Sequence, residues 1–392
     1  MYRHFGRYIF LFLKINKMKK LNIQILFLLA ATLVSCVDSP EDQTKPEVSN
    51  DRKEMLTFWV DEMILPSYVT FEKDLLALKI SAGEFTNNPT EASLSTVRTS
   101  WVQAYISWQN VEMYEVGPAE KYTLRSFFNI YPADVSGIEN NISSGNANLN
   151  LPSTYAQQGF PALDFLLNGV AEQEEKILAF YLDTEKGAQR LSYLTILVSR
   201  MDTLLNQVIS DWNGSAKADF INRTGLDIGS STASVVNAYV LYYERHVRSG
   251  KFGIPSGATI ASAGTPNPEK VEAYYKKDIS GKLAKTAQKA FSDFFNGIAN
   301  GKQGLSLKSY LNSIEAKDPS TGKLLSAYIN EQLSIIDTLV ASLSDDYYDQ
   351  IETDNGAMVK VYQEMQKAVR ILKVDMTSAM SITITYTDND GD

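Results

Sequence analysis

An all-α body of long antiparallel helices is the fold this 392-residue chain predicts. Three features carry that reading. Apolar residues recur every three or four positions, helix boundaries are marked by capping and breaking residues, and period-two alternation is confined to one short stretch.

The first 36 residues hold six basic side chains (Arg3, Arg7, Lys14, Lys17, Lys19, Lys20), no acidic one, and the apolar run Ile25 to Val34. That is the charged start and apolar core of a secretory signal, too short for a membrane span. Leu33-Val34-Ser35 then leads into Cys36, the sole cysteine, with Asp38-Ser39-Pro40-Glu41-Asp42 behind it. This looks like a bacterial lipoprotein signal, in which Cys36 is lipidated and becomes the mature N-terminus. An ordinary buried thiol is the weaker alternative, because the cysteine stands at the cleavage position and nowhere else. Met18-Lys19-Lys20 offers a second, more compact start.

Residues 37–50, rich in proline, serine and acids, suit a solvated tether between lipid and folded body. Beyond it, a single core stops growing near ~250–300 residues, so two domains are expected, divided as 51–188 and 189–392. With no second cysteine, disulfides and thiolate metal sites are excluded. All 46 acidic residues but only 31 of the 37 basic ones follow Cys36, a formal charge of −15 that disfavours nucleic acid.

Within the body, Leu191, Leu194, Val198, Met201, Leu205, Val208 and Trp212 form one apolar stripe. Similar stripes run through Leu325, Ile329, Ile336, Leu339 and Leu343, and through Val359, Tyr362, Val369, Leu372 and Met376. Asn267-Pro268-Glu269 and Asp318-Pro319 predict helix starts, while Asn296-Gly297 and Ser249-Gly250 predict stops. Irregular segments are expected at 131–158, 252–266 and 300–304. Only Ile382, Ile384 and Tyr386, alternating with threonines, read as an extended tail.

The chemistry gathers around residues 101–164. Trp101, Tyr105 and Trp108 make a core stripe, and Glu112 continues their face by one turn. Gly159-Phe160-Pro161-Ala162-Leu163-Asp164 has the outline of a G-x-H-x-x-E metal motif with proline where histidine belongs. His246 is the one histidine after Cys36. It stands two residues from Glu244, on a different helical face, and reads as a surface or interface side chain. Its neighbours Arg245 and Arg248 suit an anion or an acidic loop. The terminal Asp388-Asn389-Asp390-Gly391-Asp392 reads as a solvated acidic end, because its glycine comes too early for a calcium loop.

The run Trp108 to Pro118, then Asn129-Ile130-Tyr131-Pro132, then Gly159 to Gly169, resembles the imelysin-like proteins, which show E-x-Y-x-x-G-[NP], N-x-x-P and G-x-H-x-x-E-[FY]-L-L in this order. Arg190 to Leu194, Gly250-Lys251-Phe252-Gly253-Ile254-Pro255 and the acidic terminus are similar to further elements. The resemblance spans roughly residues 56–392. It implies two similar four-helix bundles with a functional site where they meet. It also implies a role in bacterial iron uptake, in a family first classed with metallopeptidases. By position, Glu112, Tyr114, Asn129, Gly159 and Asp164 match the pattern, while Pro161 does not and Asp164 is one methylene shorter than the family's glutamate.

Hydrolytic zinc needs three protein ligands, commonly including imidazole, and an open position. One distant histidine does not supply them. Glu112, Tyr114 and Asp164 are hard ligands, better matched to iron or another hard cation, with Glu112 and Asp164 as the metal candidates. The competing structural reading has Asp164 capping or salt-bridging and Glu112 paired with an arginine. Three functions follow. The first is a non-enzymatic component of iron uptake, anchored in the envelope by its lipid, facing periplasm or cell surface, and binding a metal, a chelate or an iron-uptake partner. The second is an envelope interaction module with a decayed metal site. The third, disfavoured by Pro161, is a metallopeptidase.

Overall fold

The computed structural model describes residues 48–387. Cys36, most of the tether and the acidic terminus lie outside the described residues. Residues 48–50, expected in the tether, already belong to the helix Val48–Phe58, which continues through a wide π-turn at Trp59–Ile64.

Thr90 starts the helix Glu91–Trp108 with a capping box: its hydroxyl accepts from Ser93 N–H at 3.1 Å while Ser93 returns the bond to Thr90 N–H at 3.0 Å. This helix and Gly187–Asp211 both pack along Leu65–Asn87. The fourth place in this first bundle is taken by shorter pieces, Val135–Ser144, Gly159–Asp164 and Glu174–Leu182, which lie against Gly187–Asp211. The helix beginning at Gly187 therefore belongs to the first bundle, although the expected division fell at 188/189. The predicted stripe on it is the buried one, from Leu194 to Trp212, with Leu191 at its edge.

A second bundle follows from Ser231–Leu241, extended by the π-helical stretch Tyr242–Gly253, with Ser280–Asn296, Leu325–Ser342 and Tyr347–Arg370. Gly297 ends Ser280–Asn296 at φ 70°, as expected. Ser249-Gly250 does not stop its helix, which widens and runs on to Gly253. Neither proline signal begins a long helix. Pro268 starts a single 3-10 turn, and Asp318 closes a turn by accepting from Thr321 N–H at 2.7 Å, with the next helix waiting until Leu325.

Of the stripe expected over 359–376, Val369, Leu372 and Met376 are buried, while Val359 and Tyr362 sit at the margin and Met358, Val361 and Met365 take the inward face of that first part. Asp354, at φ −149° and ψ 73°, breaks the helical path ahead of these residues. The segment 131–158 carries a helix and a 3-10 turn rather than being wholly irregular. Residues 298–303 form a minimal hairpin pairing Ile298 with Gln303. The tail at 382–387 is held to Asn237, which accepts from Thr385 N–H at 2.8 Å and donates to the Thr383 carbonyl at 3.0 Å.

Candidate functional site

The site grows from an aromatic floor. Trp101, Tyr105 and Trp108 face inward from Glu91–Trp108, and Phe160 lies flat on Tyr105, with centroids 4.4 Å apart and planes 4° from parallel. Phe160 can reach that place because Gly159 turns the chain at φ 73°, where a Cβ would stand 2.2 Å from the Phe128 carbonyl oxygen. Pro161 then fits the first turn of Gly159–Asp164, where a missing N–H costs no helical hydrogen bond.

Above the floor sits a fully buried polar cluster. Tyr105 Oη donates to Asn129 Oδ1 at 2.6 Å, and Asn129 Nδ2 donates to Glu112 Oε1 at 2.9 Å and to Glu272 Oε1 at 2.8 Å. Gln109 Nε2 reaches Glu272 Oε1 at 3.2 Å. Lys251 Nζ donates to Gln109 Oε1 at 2.8 Å and forms an ion pair with Glu272 Oε2. Gln109, Glu112 and Asn129 come from the first bundle; Lys251 and Glu272 follow in the second half of the chain. Burial raises the Glu112 carboxyl above its ordinary range, opposed by the nearby Lys251 ammonium. The Glu112 carboxyl also stands against the buried Tyr242 hydroxyl, whose phenol it helps to hold well above the ordinary range. Arg125 Nε bonds the Glu112 carbonyl at 3.0 Å rather than its carboxylate, so the expected arginine partner serves the backbone instead.

Asp164 is occupied elsewhere. Its Oδ2 accepts from Tyr275 N–H at 2.9 Å, and its Oδ1 accepts from Lys276 N–H and Asn168 Nδ2, both at 3.0 Å. Burial nevertheless lifts this carboxyl to about 7 against those bonds. Asp164 thus acts as a clasp on the segment 271–276, whose other end presents Glu272 to the cluster and is steadied by Ser280 Oγ donating to the Glu272 carbonyl at 2.8 Å. Beside the clasp, Tyr131, Pro132, Pro161, Glu269, Tyr274 and Tyr275 line much of a cavity of about 230 Å³.

Of the sequence candidates, Glu112 and Asn129 meet directly, Gly159 and Pro161 shape the floor and the cavity wall, and Asp164 holds the neighbouring segment. Tyr114 departs: it packs edge-on against Phe294 and lines a separate cavity with Ser67, Asn110 and Asp293. His246, expected as a surface or interface side chain, is half-buried. It stacks near Tyr242, and burial together with Arg125, Lys251 and Arg245 holds its imidazole well below the usual range. Arg245 bonds the Thr387 carbonyl. Gln109, Lys251 and Glu272 were missed as site residues, although Gln109 lies inside the Trp108–Pro118 run and Lys251 inside Gly250–Pro255. Nothing near Glu272 marks it.

The donor set does not fit a metal. The Asp164 oxygens are filled by N–H donors, Pro161 offers no ligand, and an ammonium already stands against Glu272. Among the described residues no group of three or more His, Cys, Asp or Glu could hold an ion. No described helix is long and apolar enough to cross a membrane.

The family model Peptidase M75, Imelysin, matches residues 64–374. A curated relative, "Iron-regulated protein A" of Synechococcus elongatus, is 24% identical over 153 residues, covering 38% of this chain and 41% of the relative. The chain thus matches well under two thirds of that relative's length. A crystal structure of an imelysin-like protein from Psychrobacter superposes with a TM-score of 0.64 at 16% identity, covering 86% of this chain and 98% of that one. A Parabacteroides distasonis structure, described as a candidate iron-regulated protein A precursor, gives 0.65 at 16% identity, covering 84% and 96%. At that identity the likeness concerns the fold.

Proposed function

The chain belongs to the imelysin family, and on that premise we propose that it is a non-enzymatic, iron-related protein of the bacterial envelope, anchored through Cys36, that binds an iron chelate. The observation that carries the reading is the pairing of Pro161 with a fully hydrogen-bonded Asp164. Hydrolysis of a peptide by a bound zinc-activated water needs ligands and an open position that these residues do not offer. The name of the curated relative, iron-regulated protein A, supports the connection to iron.

The chelate reading follows from the same donors. With no ligand set for a bare ion, iron would arrive carried by its own chelator and dock at the cavity beside Pro161. Tyrosines and prolines there offer apolar and aromatic surface, while Asp164 and Glu269 line the same space. A neutral or cationic chelate suits that lining better than a polycarboxylate, which would meet two acids.

Iron-limited growth tests the proposal. A host lacking the gene is expected to grow poorly when iron is scarce and normally when it is plentiful. The unaltered gene should restore growth, whereas Ala133→Trp, which fills the cavity, should not, at equal protein abundance. Equal growth of the deletion strain and its parent under iron limitation would overturn the iron role, and full rescue by Ala133→Trp would overturn the site.

A further inference from the structure

We infer that the cavity between the segment 115–125 and the helix Ser231–Leu241 binds a small zwitterion, an amino acid or short peptide with an apolar side chain, its carboxylate held by Arg125 and Arg223 and its ammonium by Glu115 and Glu120. The space is about 620 Å³, in the range of small-molecule sites, and shares no lining residue with the cavity beside Pro161. Two guanidiniums and two carboxylates line it, so its formal charge balances. A zwitterion answers both signs, whereas a simple anion or cation would meet a like charge.

The four charges are not spent on one another. Arg125 is 5% exposed; its Nε donates to the Glu112 carbonyl at 3.0 Å, its Nη2 is buried without a hydrogen-bond partner, and its guanidinium stands 5.5 Å from the Tyr242 ring. Arg223 Nη1 reaches the Gly229 carbonyl at 3.4 Å, and Glu115 Oε2 accepts from the Arg125 backbone N–H at 3.0 Å. These three are bonded to backbone, and none of the four forms an ion pair among the described residues. Burial lifts the Glu115 carboxyl to about 7, opposed by the Arg125 guanidinium, and a ligand ammonium would join that opposition and favour the ionised form.

The rest of the lining favours an apolar side chain. Ala238 and Leu241 contribute wall from Ser231–Leu241, and Ile228, 67% exposed, is a large apolar residue left in water that a ligand side chain would cover. Thr385 and Tyr386 complete the lining from the tail. Asn237 holds the first by accepting from its N–H at 2.8 Å, and Tyr386 Oη donates to Glu244 Oε2 at 3.0 Å. The cavity is thus assembled from three distant parts of the chain before any ligand arrives.

The test is isothermal titration of the full chain with L-leucine and with L-leucyl-L-leucine, which distinguish a free amino acid from a peptide. At least one should bind saturably, and at least roughly tenfold more tightly than its N-acetylated form, which lacks the ammonium, and its C-terminal amide, which lacks the carboxylate. Arg223→Gln and Glu120→Gln, both at exposed residues, should each weaken that binding by roughly tenfold. Absence of saturable binding by either zwitterion overturns the inference, as does equal binding of a capped form, or full affinity in either variant. The growth assay with Ala133→Trp reads a different cavity, so this inference and the chelate proposal fail separately.

Discussion

Asp164 combines burial with three N–H donors, and the balance of those effects sets a pH dependence. Its carboxyl titrates near 7 in the fold against an ordinary 3.8. Between those values the unfolded chain has released a proton that the folded chain keeps, so stability is fullest at low pH and is lost as pH rises toward 7. Glu115, lifted by burial to about 7, acts in the same direction. The urea midpoint of the unaltered chain should therefore fall between pH 5 and pH 8, and by visibly less in Asp164→Asn. Parallel slopes for the two proteins would remove Asp164 from this account. Gly159 makes a second residue-scale case. An alanine there would meet the Phe128 carbonyl oxygen and hold a left-handed backbone, so Gly159→Ala should lower stability by about 1–3 kcal/mol in chemical denaturation. An unchanged midpoint would show that the turn relaxes freely.

The short helix Gly159–Asp164 depends on Phe160 for its anchorage. Truncating that fully buried ring where it stacks on Tyr105 removes its packing and leaves a cavity, so Phe160→Ala should cost about 3–5 kcal/mol, read from equilibrium unfolding. A loss below about 1 kcal/mol would mean the helix is held mainly by the Asp164 clasp. Elements of this kind differ in how openly the sequence declares them. The stripe from Leu194 to Trp212 was legible because one side of a long helix is buried along its whole length. The stripe over 359–376 was legible in part: Val369, Leu372 and Met376 are buried as read, whereas Met358, Val361 and Met365 take the inward face where Val359 and Tyr362 were expected. Asn267-Pro268 and Asp318-Pro319 misled because the same pairs that cap helices also open turns, and here the turns prevail.

Over the whole molecule, the order of the motifs disclosed the family and the all-helical fold, since both depend on local patterns repeated along the chain. The composition of the polar cluster was only half legible. Glu112 and Asn129 stand 17 positions apart in marked motifs, whereas Glu272 reaches Asn129 across 143 positions from an unmarked turn. Such a contact exists only once the bundles have packed. Anchorage belongs to this scale too. Cys36→Ser should move the protein from the membrane pellet to the soluble fraction of lysed cells, and retention in the pellet would argue against a lipid anchor at Cys36. The central claim is that this member of the family binds rather than cleaves, because its motif carries Pro161 and a committed Asp164. It is tested most directly by incubating the full purified chain with a protein substrate, with added zinc and with a chelator. The account predicts no cleavage above a protein-free control in either condition. Zinc-stimulated cleavage that is lost with chelator and with Asp164→Asn would contradict it.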